Sequence, residues 1–445
     1  MTGDTARTTA GLPPGPRLPA VAQTLLFSRY RHRLFPLLRR RYGDVFTLRL
    51  AAPARQLVIL TRPEDIRTVF SGPVEVLHAG EGNMIIGPVL GSHSLLLTDE
   101  DEHRRARRLL VPAFNGTALA GYRAMVGELS RSEVEQWPEG RAFASHRRMQ
   151  ALTLEVILQV VFGVTDRARL SGMRPQVRGV ADLGPFTLLG LPYPLLHRFG
   201  PWRRHLAHQQ GLDRLLYAEI TERRGAADLR GRTDVLSRLL QAGAESEAAG
   251  EGGGFGDAEL RDQLVTLLLA GHETTATALA WALHELARRP ELQRRAQRAA
   301  DEGDDAYLTA VVKEALRLKP VVHEVARRLT EPFTVGGYRL PAGATVMPSI
   351  GTVQSDPACH DRPDAFRPER FLDEQPPPHT WIPFGGGARR CPGAGFALLE
   401  ATVALREVLT RYDIHPEHPR PEAQRAHHVT LIPERGARVL VTHRR

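Results

Sequence analysis

Residues 384–393 read Phe384-Gly385-Gly386-Gly387-Ala388-Arg389-Arg390-Cys391-Pro392-Gly393. A single thiol follows a run of three glycines, two positions after an arginine, and a proline comes next. Each part has a chemical use. Glycine lets backbone come close to a flat ligand. Backbone N–H groups at the start of a helix can stabilise a thiolate. Arg389 adds a cation that can hold a carboxylate. Taken alone, a cysteine after a loop is most often a structural residue, so the rest of the chain has to decide.

Outward from this stretch, four further segments carry candidate chemistry. Ala270-Gly271-His272-Glu273-Thr274 lies midway along an apolar run that predicts a helix from Asp257, as its N-cap, to about Arg289, before Pro290. That helix would be roughly 48 Å long. In it, a buried threonine usually bonds its own helix; exchanging that bond for a bound molecule would open a local kink at Thr274, beside the acid Glu273. Glu314 and Arg317 share a helix face at i, i+3 and, read alone, form an ordinary surface ion pair. His103 and Arg107 are four apart and face the same way on a basic helix. Arg327 and Arg328 follow Val325-Ala326.

The 445 residues are 42% hydrophobic, with a formal net charge of +9, enough for a large core and a surface that favours acidic partners. Zinc-finger spacing, RNP-like aromatics and a compact basic tail are missing from the sequence, which argues against nucleic acid. Two cysteines, Cys359 and Cys391, make no disulfide framework and fit a reducing, cytoplasmic setting. Cys359 lacks any surrounding signature and reads as a bystander. The first apolar run, Pro19 to Phe27, is too short to span a bilayer.

Residues 1–18 read as a flexible Pro/Gly-rich leader and 19–445 as one domain, mainly α with small β-sheets. A basic helix is expected over 29–41, and a strand pair at Phe46–Leu50 and Leu57–Leu60 around Ala51-Ala52-Pro53. A long structured loop is expected over 74–98, with helices from Asp99 to about Gln241 interrupted irregularly at 184–201. Further expectations are a low-complexity loop over 242–256 and hairpin-like turns at 335–338 and 340–343. A last helix should follow Pro392, with strands at 429–432 and 439–442.

The pattern F-x-x-G-x-R-x-C-x-G is matched by Phe384, Gly387, Arg389, Cys391 and Gly393. With it, from about residue 13 to the C-terminus, the chain resembles the cytochrome P-450 family. The resemblance implies that family's fold, with haem between a long central helix and the Cys loop and helix. It makes Cys391 the axial ligand of a haem b iron and Ala270 to Thr274 the oxygen-binding motif, with Thr274 and Glu273 catalytic. It makes Glu314, Arg317 and Arg370 a structural triad bracing the Cys391 loop. It gives His103 (Trp in many members), Arg107, Arg327 and Arg389 to the haem propionates, with Arg328 as rival to Arg327. Ala270, Gly271, Phe384, Gly387 and Gly393 complete the cofactor contacts.

The implied reaction is insertion of one oxygen atom from dioxygen into a hydrophobic small molecule. Residues 78–97, 184–201, Leu267–Thr275 and Val321–Val325 would line the pocket, with His323 or Glu324 as a polar anchor. Electrons would come from a separate ferredoxin and ferredoxin reductase, since no flavin or iron–sulfur motif is visible. Two rivals remain: a haem-thiolate enzyme that uses peroxide or isomerises its substrate, and a non-enzymatic haem or ligand carrier.

Overall fold

Val45–Arg49 (β1) and Gln56–Leu60 (β2) pair antiparallel, Val45 opposite Leu60, because their alternating apolar residues have a core on both faces. Val45, Val58 and Leu60 point into one cluster; Phe46, Leu48, Leu57 and Ile59 point into another. The computed structural model describes residues 9–51, 56–163, 167–250, 253–373 and 376–444. Ala52 and Pro53 of the expected turn, residues 1–8 of the expected leader, and Glu251 and Gly252 of the expected surface loop lie outside the described residues.

Helices of eight residues or more, among the described residues, run in chain order as follows. They are α1 (Ala20–Tyr42), α2 (Pro63–Phe70), α3 (Glu100–Leu110), α4 (Thr117–Val134), α5 (Ser145–Phe162) and α6 (Arg167–Ala181). Then come α7 (Gly200–Arg224), α8 (Val235–Ala248), α9 (Asp257–Ala287), α10 (Pro290–Glu302), α11 (Asp305–Leu318) and α12 (Ala394–Arg411). The chain forms two compact units. The first comprises residues 1–82, 310–391 and 420–435, the second residues 83–309, 392–419 and 436–445.

The first unit is built on a five-stranded sheet. Leu77–His78 (β3), Arg327–Leu329 (β4) and Thr345–Pro348 (β5) join the first pair in the order β1-β2-β5-β4-β3. Phe333–Val335 and Tyr338–Leu340 form the expected hairpin, with Gly336 and Gly337 both at positive φ. The leader departs from expectation in residues 9–18. Thr9 pairs with Tyr338, and Thr47 N–H donates to the Pro14 carbonyl. A Cβ on Gly15 would meet the Thr47 carbonyl oxygen. The first helix starts at Ala20 and not at residue 29, with a non-helical residue at Tyr30 (φ −130°, ψ 16°) and Pro36 inside it.

The second unit gathers α3 to α10 and α12. Its sheet pairs Tyr412–Pro416 with Arg438–His443, and the latter with Phe143–Ala144. Expectations on length need correction here. Val235–Ala248 stays helical well into the stretch read as a surface loop. Gly256, not Asp257, caps α9, and Glu259 reaches back to the Gly256 N–H at 2.9 Å. Asp257 pairs instead with Arg224. Helix α9 then runs unbroken for 31 residues, roughly 46 Å. Short helical turns at Pro185–Gly190 and Pro194–Arg198 fill the irregular connection between α6 and α7.

Candidate functional site

The loop before Cys391 is held by backbone bonds and by buried groups from elsewhere in the first unit. Cys391 N–H donates to the Phe384 carbonyl at 2.9 Å, closing the turn of three glycines. Gly385 and Gly387 both sit at positive φ. The glycines meet protein, which the sequence did not announce. A Cβ on Gly386 would lie 2.4 Å from Phe70 Cδ2, and one on Gly387 would lie 1.8 Å from the Phe70 carbonyl oxygen. Phe70, at the end of α2, therefore sets how the loop lies.

Behind the loop stands the expected triad. Glu314 accepts from Arg317 Nε (2.8 Å) and Nη2 (2.9 Å), from Arg370 Nε (3.2 Å) and from Arg367 N–H (2.8 Å). Arg317 also donates to the carbonyls of Gln354, Pro363 and Ala365. Glu314 and Arg317 are fully buried, so the i, i+3 spacing is no surface pair. The link to the loop runs through two residues the sequence reading missed. Gln354 donates to the carbonyls of Leu316 and Arg317, and its side-chain oxygen accepts from Ile382 N–H at 3.1 Å. Trp381 donates to the Lys313 carbonyl at 3.2 Å and stacks edge-on to Phe384. A buried glutamine between two apolar segments is a signal the sequence did carry.

The arginines sort by direction. Arg327 points inward from β4 and is buried, with its guanidinium 6.0 Å from the Phe70 ring centre. Arg328 points outward and pairs with Glu81 at 3.3 Å, half exposed. Alternation along the strand thus separates the rivals, and Arg327 is the one turned into the protein. Arg389 is half-buried on the Cys391 loop. In the second unit, His103 is buried and Arg107 half-buried, one turn apart on α3.

Along α9, Ala270 is exposed, whereas Leu260 to Thr266 and Thr275 to Ala287 are buried. A small exposed side chain in the middle of an otherwise buried helix leaves an apolar surface suited to a flat group. Gly271 faces the other way: a Cβ there would lie 2.8 Å from Ile157 Cδ1, so its smallness serves the packing of α9 on α5. Thr274 Oγ1 donates to the Ala270 carbonyl at 2.7 Å, the ordinary bond to its own helix. The expected exchange of that bond and the kink are not seen. With its proton committed, the Thr274 oxygen is left as an acceptor. Glu273 turns toward α5, where Gln150 donates to it at 2.6 Å and His146 lies at 3.6 Å. His272 donates through Nδ1 to the Leu268 carbonyl at 2.8 Å, and burial pushes its pKa down, so it stays neutral.

One residue beyond Thr274 is a group the sequence reading passed over. Thr275 hydrogen-bonds Glu400 of α12, a fully buried carboxyl whose Oε1 has no partner among the described residues. Burial pushes the Glu400 carboxyl well above the ordinary range. The signal was an acid inside the apolar run Phe396 to Leu405.

Two expectations change. His323 and Glu324 are not free polar anchors. Glu324 pairs with buried Arg31 of α1 at 2.8 Å, and His323 lies 3.0 Å from Glu324 with its ring against Phe35. Arg31 continues to the carbonyls of His428 and Thr430, so this cluster knots the first unit together. The two thiols differ in exposure. Cys391 is exposed, while Cys359 is half-buried, its thiol pushed up to about 11 chiefly by burial. Among the described residues no helix is long and apolar enough to cross a membrane, and no cluster of three or more His, Cys, Asp or Glu could hold a metal ion. Within the first unit, the exposed Cys391 and the buried Arg327 are chemically suited to a thiolate-ligated group that carries carboxylates.

Comparison with known proteins points the same way. The family model described as Cytochrome P-450 matches residues 12–441. A protein of Mycobacterium tuberculosis (strain ATCC 25618 / H37Rv) named cytochrome P-450 135A1 is 47% identical over 439 residues, covering 98% of this chain and 97% of that protein. One of Mycobacterium bovis (strain ATCC BAA-935 / AF2122/97) named cytochrome P-450 135B1 is 44% identical over 437 residues, covering 97% and 91%. The fold is that of the retinoic acid-bound cyanobacterial CYP120A1, with a TM-score of 0.84 at 24% identity over 98% of this chain and 100% of that one. A match over nearly the whole chain, with the Cys391 loop and its buried brace in place, shows that the chain belongs to the cytochrome P-450 family.

Proposed function

We propose that this haem-thiolate monooxygenase inserts one atom of dioxygen into a hydrophobic small molecule, with electrons from a separate ferredoxin and its NAD(P)H-dependent reductase. The observation that carries the reading is Cys391: an exposed cysteine at the end of a loop whose supports Phe70, Gln354, Glu314 and Arg317 are buried. A loop braced by buried groups that presents an exposed cysteine is suited to a metal ligand.

Cys391 would ligate the iron of a haem b, and His103, Arg107, Arg327 and Arg389 would supply the donors for its propionates. Phe384, Gly387 and Gly393 shape the loop, Ala270 leaves one stretch of α9 flat, and Gly271 gives α9 its close packing on α5. When bound, the haem supplies activation of dioxygen, with thiolate ligation favouring O–O cleavage. The chain's own part is to place protons. Thr274 Oγ1, its hydrogen on the Ala270 carbonyl, accepts from a water or protonated oxygen beside it. Glu273 reaches that site by releasing Gln150, so proton delivery is coupled to a side-chain swing. Met84, Ile85 and Leu96 are exposed apolar residues of the loop expected to face substrate, which favours a hydrophobic one.

The ferrous carbon-monoxide spectrum tests the class. A thiolate-type Soret band lost in Cys391→Ala supports it; a native protein without that band refutes it. Docking is tested separately. Arg390 is exposed beside Cys391 and the chain carries +9, so electron transfer from an acidic ferredoxin should slow as salt rises. A rate independent of salt rejects electrostatic docking.

A further inference from the structure

Three consecutive polar side chains, Arg261, Asp262 and Gln263, are buried near the start of α9. Buried polar groups at such a place are costly unless each is matched, and here each is matched to one stretch of loop. Asp262 Oδ2 accepts from His93 N–H at 3.0 Å and lies 3.1 Å from His93 Nδ1. Asp262 Oδ1 accepts from Arg261 at 2.8 Å. Arg261 donates to the Leu90 carbonyl at 3.2 Å and pairs with Asp213 of α7 at 2.6 Å. Gln263 accepts from Leu95 N–H at 3.1 Å and donates to the His93 carbonyl. One turn on, Thr266 and Ser94 hydroxyls meet at 2.7 Å. Helix α9 thus grips the backbone of residues 90, 93 and 95, with the His93 and Ser94 side chains adding to the hold.

Gly91 shows how close the approach is. It sits at φ +89°, and a Cβ would lie 2.0 Å from Asp262 Oδ1. The loop's own side chains divide into two sets. Val89, Leu90, Leu95 and Leu97 are buried as anchors, while Met84, Ile85 and Leu96 are exposed. Asn83 ties to the Leu96 carbonyl at 3.1 Å, so the exposed three belong to one closed segment.

We infer that Arg261, Asp262 and Gln263 are positioning residues that latch residues 90–97 onto α9 and so hold Met84, Ile85 and Leu96 as a fixed apolar wall that selects ligands by size. The inference rests on the reading of the chain as a monooxygenase whose 83–97 segment faces substrate. Because the latch grips backbone, the wall's side chains can vary without loosening it.

The test uses the purified holoprotein with Gln263→Leu, which keeps the shape and removes both partners of the loop. Asp262→Asn and Gly91→Ala serve as companions; Gln263→Leu strands no buried charge and keeps the test open if Asp262→Asn fails to fold. Two readouts are taken: hydrogen exchange at the Leu95 amide, and binding of imidazole and of 4-phenylimidazole followed by the Soret shift. In Gln263→Leu the Leu95 amide should exchange at least tenfold faster. Dissociation of 4-phenylimidazole should change at least threefold, while imidazole, too small to touch the wall, stays within twofold. Unchanged Leu95 exchange overturns the latch. Equal changes for both ligands overturn the selective wall and place the defect at the iron. A native protein lacking the thiolate-type Soret band would sink the monooxygenase reading instead, and the Leu95 exchange result would still stand or fall by itself.

Discussion

Two glutamates stand behind residues assigned to the site, and they are opposites. Glu314, behind the Cys391 loop in the first unit, is fully buried and receives four hydrogen bonds from Arg317, Arg367 and Arg370. Glu400, behind Thr275 in the second unit, is equally buried and meets no cation; one of its oxygens has no partner among the described residues. Equal burial comes with ion pairs in one place and with a carboxyl whose pKa is raised in the other. The difference lies in the partners: two guanidiniums offset the desolvation of Glu314, and nothing offsets that of Glu400. Removing the acid should therefore have opposite consequences at the two places.

The largest effect is expected for Glu314→Gln. It leaves buried Arg317 and partly buried Arg370 without their counter-charge, a loss on the order of 3–5 kcal/mol. Little folded holoprotein should accumulate, and what does should melt far below the parent. A variant that melts within a degree or two of the parent and keeps its Soret band would show that the triad braces nothing. A middle-sized effect separates loop conformation from loop contact. Gly385 and Gly387 both have positive φ, but a Cβ on Gly385 meets open space and one on Gly387 meets the Phe70 carbonyl. Gly385→Ala should cost about 1 kcal/mol for backbone strain alone. Gly387→Ala should cost clearly more and weaken the carbon-monoxide Soret band, because Phe70 or the loop must move. Equal melting temperatures for the two would show that Phe70 does not set the loop.

The same contrast explains what could be read from the sequence. The Cys391 loop was legible because its residues act where they stand: glycines, arginine and thiol lie within ten positions. The Glu314–Arg317 pair was legible as a pair, but its depth was not, since i, i+3 spacing is the same on a surface and in a core. Gln354, Phe70 and Asp262 were missed because each acts on backbone far away in the chain, and backbone carries no sequence signature. Gly271 was given to the cofactor although Ile157 accounts for it, since a glycine does not say which side needs the space. His323 and Glu324 were misread for a related reason: their partner, Arg31, lies some three hundred positions earlier.

Glu400→Gln should have the smallest effect, and its sign is the informative part. The folded carboxyl is held well above its ordinary value of 4.5 by burial, against which the Thr275 hydrogen bond acts weakly. Below about pH 4.5 both folded and unfolded chains carry the proton, and the group takes nothing from stability. Above it the unfolded chain releases the proton and the folded chain keeps it, so stability falls as pH rises toward the raised folded value. Glutamine fills the same space, keeps an acceptor for Thr275 and has no proton to lose. The variant should therefore gain on the parent as pH rises from about 5 toward the raised folded value, in melting temperature at matched haem occupancy. Glu314→Gln should lose at every pH in that range. A difference between parent and Glu400→Gln that stays constant across the range would mean that Glu400 is already charged in the fold, and that a cation or water satisfies the oxygen left open beside Thr275.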